Sequence, residues 1–444
     1  MTSDKIITSP YTSHKPEDVE QMLLDLGIDS IDELFDIPES IKFTGSFGIS
    51  SHSEQEVKQK LNEVLNKNAS LVEFLGSGYY SHYIPSLVDH ISDRSEFLTS
   101  YTQYQPEIAQ GFLQVLFEYQ SLIVELTGLE IANSSMYDFA TSIGEAALLS
   151  GRINPEKNRI LIPDILSAER KSVLTNYVSG SGFIIESYPI SDANTDIEEL
   201  SNLLSEDVSM VYLENPNSYG ALEESIRDIV ELSHEYGSLC CLGTDLIALS
   251  LLEVPSLLDI DIVVGDASVL GIGNAYGMGL GLFACRKEYL RKVPGRLVGA
   301  SKDVHGRRVY TLTLQTREQH IRRERATSNI CTNQAWVALR TAIHASYLGP
   351  KGLIDLATKC IDLPNQLSKK LNSIDGIQAP LYDRYHFREF VIGTRENAYE
   401  IAHSLEDKGY AISPISDHEL IICVTELNEH HIDSLVENFK EILS

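Results

Sequence analysis

No apolar run in this 444-residue sequence approaches the length that spans a bilayer, and its first residues, MTSDKIITSPYTSHKPED, hold no signal-peptide hydrophobic segment. The expectation is a cytoplasmic protein with no membrane role. Positive charge is scarce: 35 Lys and Arg stand against 64 Asp and Glu, for a net charge of −29. So acidic a chain repels a phosphodiester backbone or an anionic lipid surface, which excludes general nucleic-acid binding. The six cysteines form no Cys-x-x-Cys pair, and the 13 histidines form no His-x-x-x-His motif with a carboxylate, so no metal site is expected. Cys240 and Cys241, adjacent in an apolar run, read as buried free thiols. The absence with the most chemical weight is lysine, which does not occur between Lys171 and Lys287.

What is present is an ordinary globular composition, 43% apolar and 22% charged, long enough for two or three domains. Residues 16–37 read as two short helices and 54–66 as another, an N-terminal helical arm over 1–70 with little core of its own. The segment 107–128 is apolar nearly all round, the mark of a buried helix, with Gly128 placed to cap it. Beyond it ILIP, FIIESY, VSMVYLENPN, SLCCLGTD and DIDIVVGD read as strands separated by helices. Such alternation, with nearly continuous apolar strands, specifies a mostly parallel sheet covered on both faces. LGLFACR and VYTLTL read as further strands, and helices dominate from 331 until FREFVIGT, ELIICVTEL and HHIDSLVENFKEIL suggest a second unit. The predicted architecture is α/β, with a large domain over 71–330 and a smaller C-terminal α/β domain over 331–444.

The glycine-rich run from Gly271 to Gly281 is followed by a strand and not by the helix a dinucleotide loop requires. Gly180 and Gly182 close a helix before a strand, the polarity of a C-cap. Asp245 ends the strand SLCCLGTD, where open α/β sheets place their ligands. It is similar in position to the Asp that faces the pyridinium nitrogen in aspartate-aminotransferase-like pyridoxal-phosphate enzymes. That chemistry also needs a lysine amine one or two strands later, and the lysine-free interval removes it. A cofactor site complete within this chain is therefore not expected. Thr141 and Ser142 carry hydroxyls suited to an anion at a helix N-terminus, although Phe139 crowds them and an ordinary N-cap is an equal alternative.

Two tyrosine-rich segments, Gly76 to Tyr83 and Tyr101 to Glu107, have neither helical nor strand periodicity. They suit a ligand-facing loop or an interface core, with loop packing of satisfied hydroxyls as the alternative. Between 286 and 325 twelve Lys and Arg face four acids, a local excess of eight positive charges on an otherwise acidic chain. A phosphate, a carboxylate or an acidic protein surface would answer that stripe, as would internal salt bridges.

FLGSGYYSHYIPSLVDHISDRSEFLTSYTQYQPEIAQGFLQVLFEYQ (74–120) resembles the glycine decarboxylase family, the pyridoxal-phosphate P-protein of the glycine cleavage system. LTLQTREQHIRRERATSNICTNQAWVAL (312–339) resembles it equally, and the likeness covers nearly the whole chain. The resemblance implies the aspartate-aminotransferase-like fold, fold type I of pyridoxal-phosphate-dependent transferases, in the large domain. Length and missing lysine match subunit 1 of the two-subunit form, whose paralogous subunit 2 carries the cofactor lysine in a heterodimer or dimer of heterodimers. It further implies that pyridoxal phosphate belongs to subunit 2 with none on this chain. The pair would decarboxylate glycine and pass the aminomethyl group to the lipoyl group of an H-protein, a second partner and co-substrate.

Under this resemblance Tyr79, Tyr80, His82, Tyr101, Tyr104, Gln105 and Glu107 would line the partner's site. Arg317, Arg322, Arg323 and Asn329 would hold a carboxylate, a phosphate or the paired subunit. No Schiff-base residue is expected here, and Thr141, Ser142 and Asp245 would mark a vestigial pocket. Three departures fall at that pocket. The family's usual Tyr-Asp-Gly-Ala-Thr-Ala is Tyr137 to Ser142 with Phe139 inside; its usual His-Pro is Ser167-Ala168; its Gly-Ile-Pro…Gly-Gly-Pro segment is Gly271 to Gly279. Competing readings are a paralogous scaffold or specialised-pathway subunit of the same fold and a self-sufficient pyridoxal-phosphate enzyme.

Overall fold

A computed structural model describes residues 14–38, 40–43, 45–68, 70–78, 80–98, 105–273, 277–315, 318–330 and 334–444. The chain divides into two units, 1–69 and 70–444. In the first, the helix Pro16–Leu26 starts with Pro16 and two acids in its first turn and stops at Gly27, whose φ of 68° favours a residue without a Cβ. The helix Glu54–Leu65 is closed at its N-terminus by a capping box, Ser53 accepting from the Glu56 N–H while Glu56 accepts from the Ser53 N–H. The second helix expected within 16–37 is instead a single 3₁₀ turn, Ile31–Leu34. Its four residues lie between Ser30 and Phe35, too few to nucleate a stable α-helix on their own.

The second unit is organised by a seven-stranded sheet. In spatial order its strands are Ile131–Ala132, Gly281–Cys285, Ile262–Asp266, Leu239–Asp245, Val208–Asn215, Arg159–Pro163 and Ile184–Tyr188. Five run parallel in sequence along the sheet; Gly281–Cys285 is antiparallel to both its neighbours. The pleat sends alternate side chains to opposite faces. Leu161, Val211, Leu213, Cys240, Leu242 and Val263 meet the helix Gln110–Thr127 and the first half of Ala335–Leu371. Ile160, Ile162, Met210, Tyr212, Cys241 and Val264 meet the helices Phe139–Ile153 and Ala168–Val178. The adjacent cysteines thus belong to two different cores, and burial pushes both thiols up from their ordinary value.

The strand VYTLTL does not join this sheet. Arg308–Thr313 pairs with Leu297–Lys302 as a separate hairpin, a partner hidden in the sequence by its small and polar residues. Two buried-helix glutamines serve as its next strand. Gln110 exchanges hydrogen bonds with both backbone groups of Tyr310 (2.9 Å each), and Gln120 does the same with Val298 (2.9 and 3.0 Å).

The two helices read beyond 331 are one long element, Ala335–Leu371, broken at Gly349 (φ 63°) before Pro350. It runs up to a four-stranded antiparallel sheet of the order Ile377–Gln378, Glu389–Thr394, Glu419–Cys423, Ser413–Ser416. Leu367, Leu371, Phe390, Ile422, Leu435 and Phe439 form its core. Phe74 belongs to the same core, beside the short parallel pairing of Val72–Glu73 with Tyr410–Ala411. No helix among the described residues is long and apolar enough to cross a membrane, and no group of three metal-ligating side chains occurs among them.

Candidate functional site

The parallel strands end together. Val208–Asn215 delivers Glu214, Leu239–Asp245 delivers Thr244 and Asp245, and Ile262–Asp266 delivers Asp266, in register with Asp245. Above this edge lies a cavity of about 440 Å³, lined among others by Tyr80, Phe139, Arg170, Tyr219, Asp245 and Asp266, and by Glu419 from the four-stranded sheet. A second cavity of about 280 Å³ adjoins it beside Asp138, Phe139 and Ser268.

Four charged side chains that the sequence reading passed over, Arg170, Glu214, Arg388 and Glu389, dominate this region. Arg170, in the first turn of its helix, donates to Glu214 at 2.8 Å and lies 4.0 Å over the Phe139 ring. Glu214 also accepts from Tyr212 (2.7 Å) and Ser218 (3.0 Å). Burial works against the Arg170 charge, but the Glu214 carboxylate outweighs it and holds the guanidinium above its ordinary value. Glu389 accepts from the Tyr80 hydroxyl and from the Ser77 N–H at 2.7 Å. Burial pushes its carboxyl up to about 7 despite those bonds. It fits because Gly76 and Gly220 leave room: a Cβ on Gly220, whose φ is 74°, would stand 2.0 Å from the Glu389 carbonyl oxygen.

Arg388 is as deeply buried as Glu389, each 1% exposed. Its Nη2 lies 2.7 Å from Asp245 Oδ1, and its guanidinium carbon lies 4.1 Å over the Tyr80 ring. Asp245 Oδ1 also accepts the N–H groups of Ile247 (2.9 Å) and Ala248 (3.1 Å). Asp266 is held by the Ser268 N–H and hydroxyl at 2.7 and 2.8 Å, yet burial raises its carboxyl.

Of the residues singled out in the sequence, Tyr80 and Asp245 meet at this site. His82 is buried apart from it, its Nδ1 3.0 Å from Glu426, which also accepts the Tyr83 N–H. Burial would raise the Glu426 carboxyl, but the His82 hydrogen bond and charge outweigh it and hold it at about 2. Tyr80 and His82 thus each pair with a carboxyl group of this chain, and Tyr80 also lines the cavity. Gln105, Glu107, Arg322, Arg323 and Asn329 are exposed and outside the cavity. Tyr79, Tyr101, Tyr104 and Arg317 lie outside the described residues.

Thr141 and Ser142 do not offer an anion cradle. Asp138 caps the helix Phe139–Ile153 and accepts the Thr141 N–H at 2.7 Å, while both hydroxyls donate to the Asp138 carbonyl. The ordinary N-cap is what the structure has. Phe139 and Ser167-Ala168, two of the three departures, line the cavity directly. Within the basic stripe, Arg286 pairs with Asp259 (2.7 Å) and Asp261 (3.1 Å), Arg307 with Asp303 (2.7 Å), and Lys292 donates to the Arg152 carbonyl.

Compared with known proteins, residues 9–439 match the glycine cleavage system P-protein family. This chain belongs to that family. A relative from Halobacterium salinarum, 52% identical over 98% of this chain and 99% of its own length, is named probable glycine dehydrogenase (decarboxylating) subunit 1. Relatives of the same name from Thermococcus onnurineus (42% identical, 98% of each chain) and Listeria monocytogenes (40%, 97% of this chain and 98% of the relative) also match. A crystal structure of an inhibitor-bound glycine decarboxylase (P-protein) superposes with a TM-score of 0.91 at 35% identity, covering 98% of this chain and 100% of that one. A sphingosine-1-phosphate lyase from Burkholderia pseudomallei shares the fold, with a TM-score of 0.67 at 13% identity over 90% of this chain and 92% of that one. The fold is that of type I pyridoxal-phosphate-dependent enzymes, as expected, and the chain takes part in glycine decarboxylation as a P-protein subunit.

The residues at the sheet edge do not fit pyridoxal phosphate in this chain. A Schiff-base lysine has no counterpart between residues 172 and 286. The carboxylate that would face a pyridinium is already against Arg388, and the helix N-terminus that would receive a phosphate is already capped by Asp138.

Proposed function

We propose that this P-protein chain is subunit 1 of a two-chain glycine dehydrogenase (decarboxylating). A paralogous second chain holds pyridoxal phosphate on its own lysine, and the pair hands the aminomethyl group to the lipoyl group of an H-protein. The observation that carries the reading is the sheet edge itself: a family member of nearly full length keeps the cofactor carboxylate, Asp245, but sets it against Arg388 and lacks the lysine. When bound in the second chain, pyridoxal phosphate supplies the electron sink for loss of CO2. This chain contributes protein surface. Its exposed polar residues Gln105, Glu107, Arg322, Arg323 and Asn329, with Tyr79, Tyr101, Tyr104 and Arg317, are the groups we assign to the face toward that chain and its substrate. We place the complex in the cytoplasm, where the buried thiols Cys240, Cys241, Cys285, Cys360 and Cys423 stay reduced.

The deciding experiment is glycine–CO2 exchange by the purified chain, by its candidate partner, and by the two mixed. Exchange in the mixture alone is the expected result. Exchange by this chain in isolation would sink the reading, and a mixture as slow as the partner by itself would point to a scaffold.

A further inference from the structure

We propose that Arg388 is a built-in substitute for a cofactor cation: its guanidinium takes up the Asp245 carboxylate that a pyridinium ring would need and so keeps pyridoxal phosphate from binding, although a cavity of about 440 Å³ stands open beside that carboxylate. This goes beyond the proposed pairing of two chains, because it concerns what one chain's pocket contains and is tested on that chain alone.

The argument rests on the chemistry around Asp245. In this fold the carboxylate at that strand end faces a planar, delocalised, cationic ring. A guanidinium is likewise a planar, delocalised cation that stacks on aromatic faces and pairs with carboxylates. Arg388 does both, with Nη2 2.7 Å from Asp245 Oδ1 and its central carbon 4.1 Å over Tyr80 and 5.2 Å from the Phe387 ring. Its Nε, Nη1 and Nη2 are all buried and none makes an aligned hydrogen bond. Charge and π-stacking hold the group, and both could equally hold a planar cationic ring.

The backbone supports the same reading. Arg388 has a φ of 67°, a left-handed conformation unfavourable to any residue with a Cβ. It is clamped there by its neighbours: Phe387 donates to the Gly220 carbonyl at 2.8 Å, and Val424 donates to the Arg388 carbonyl at 2.8 Å. A strained backbone that aims one side chain onto one carboxylate far away in sequence is a specific arrangement, and it points to a positioning role for Arg388.

The test uses the full chain and pyridoxine 5′-phosphate, which has the ring and phosphate of the cofactor but no aldehyde to react with surface lysines. Binding is followed by its ultraviolet difference spectrum and by the melting temperature. The wild-type chain is expected to show no saturable binding, and Arg388→Ala to bind at least roughly tenfold more tightly. Low-millimolar guanidinium should raise the melting temperature of Arg388→Ala and leave the wild type unchanged. Arg388→Lys, which keeps the charge but loses the plane, should respond to guanidinium only weakly. In Asp245→Asn/Arg388→Ala both responses should vanish. If Arg388→Ala does not fold, its refolding yield with and without guanidinium gives the same answer. A folded Arg388→Ala that neither binds the ring nor responds to guanidinium would overturn the proposal. So would a wild-type chain that binds the ring as well as the variant does, or a refolding yield that guanidinium does not improve.

Discussion

Two regions of the P-protein chain are rich in charge, and they satisfy it in opposite ways. At the sheet edge, three charged groups are answered by groups far away in sequence: Asp245 by Arg388, Arg170 by Glu214, Glu389 by Tyr80. Along 286–325 the exposed arginines find partners close by, although Arg286 reaches back to Asp259 and Asp261. Arg307 pairs with Asp303 four residues earlier, its side chain 75% exposed, and Arg325 lies beside its neighbour Glu324. Desolvation separates the two cases. A pair in water gains little and loses little, whereas a buried pair is costly to assemble and far costlier to break on one side.

The largest expected effect therefore follows from Arg388→Ala. It leaves Asp245 buried without its counter-ion, and the cost should be about 3–5 kcal/mol of folding stability. Urea unfolding of the single variant against Asp245→Asn/Arg388→Ala checks it, because the double variant should recover most of the loss. Equal destabilisation in both would mean that the pair is not coupled.

Next comes a pH effect confined to the buried region. Burial sets the Glu389 carboxyl at about 7, above its ordinary 4.5. The folded chain thus holds this proton more tightly than the unfolded chain. The associated stability is fully present below pH 4.5 and is lost as pH rises through about 7, a total of about 3 kcal/mol. Glu389→Gln should flatten that decline. His386 has the opposite sign, since burial pushes it down from 6.5 to about 4 and its contribution is lost as pH falls through that range. The difference between wild type and Glu389→Gln at each pH cancels the His386 slope. A constant difference from pH 4.5 to beyond 7 would refute the assignment.

These partnerships also explain what the sequence could and could not disclose. Strand–helix alternation and apolar runs were enough for the parallel sheet, because burial on both faces writes itself into consecutive residues such as SLCCLGTD. Asp245 was legible as a strand end, and the missing lysine as an interval. Arg388 and Glu389 were not, since their partners Asp245 and Tyr80 lie far away in sequence and no period links them. A faint signal was available: Arg-Glu sits directly against the apolar strand FVIG, where solvated charges seldom stand. The hairpin strand Leu297–Lys302 was missed for a similar reason, because its stabilising neighbours are glutamine side chains of a distant helix.

Glycine substitutions sharpen the contrast at smaller amplitude. Gly220 and Gly306 both have left-handed φ, 74° and 78°. A Cβ at Gly220 would meet the Glu389 carbonyl at 2.0 Å, whereas one at Gly306, in the turn of the exposed hairpin, meets nothing within 4 Å. Gly306→Ala should cost only the backbone conformation, about 1 kcal/mol, and Gly220→Ala that plus a clash, about 3 kcal/mol. Thermal unfolding of the two variants side by side measures it, and equal shifts would show that the Gly220 loop yields freely.

The smallest effect belongs to the basic stripe. Arg307→Ala removes a guanidinium whose Nε lies 2.7 Å from Asp303, but Asp303 also accepts the N–H groups of His305 and Arg307 at 2.8 and 2.9 Å. The carboxylate therefore keeps its turn-forming bonds when the charge leaves. An exposed ion pair is worth at most about 1 kcal/mol and is screened by salt, so the variant should unfold within about 0.5 kcal/mol of wild type. The difference should vanish in high salt. If Arg307→Ala were instead as damaging as Arg388→Ala, exposure would not be what separates the two regions, and the hairpin charges would have to be counted as structural.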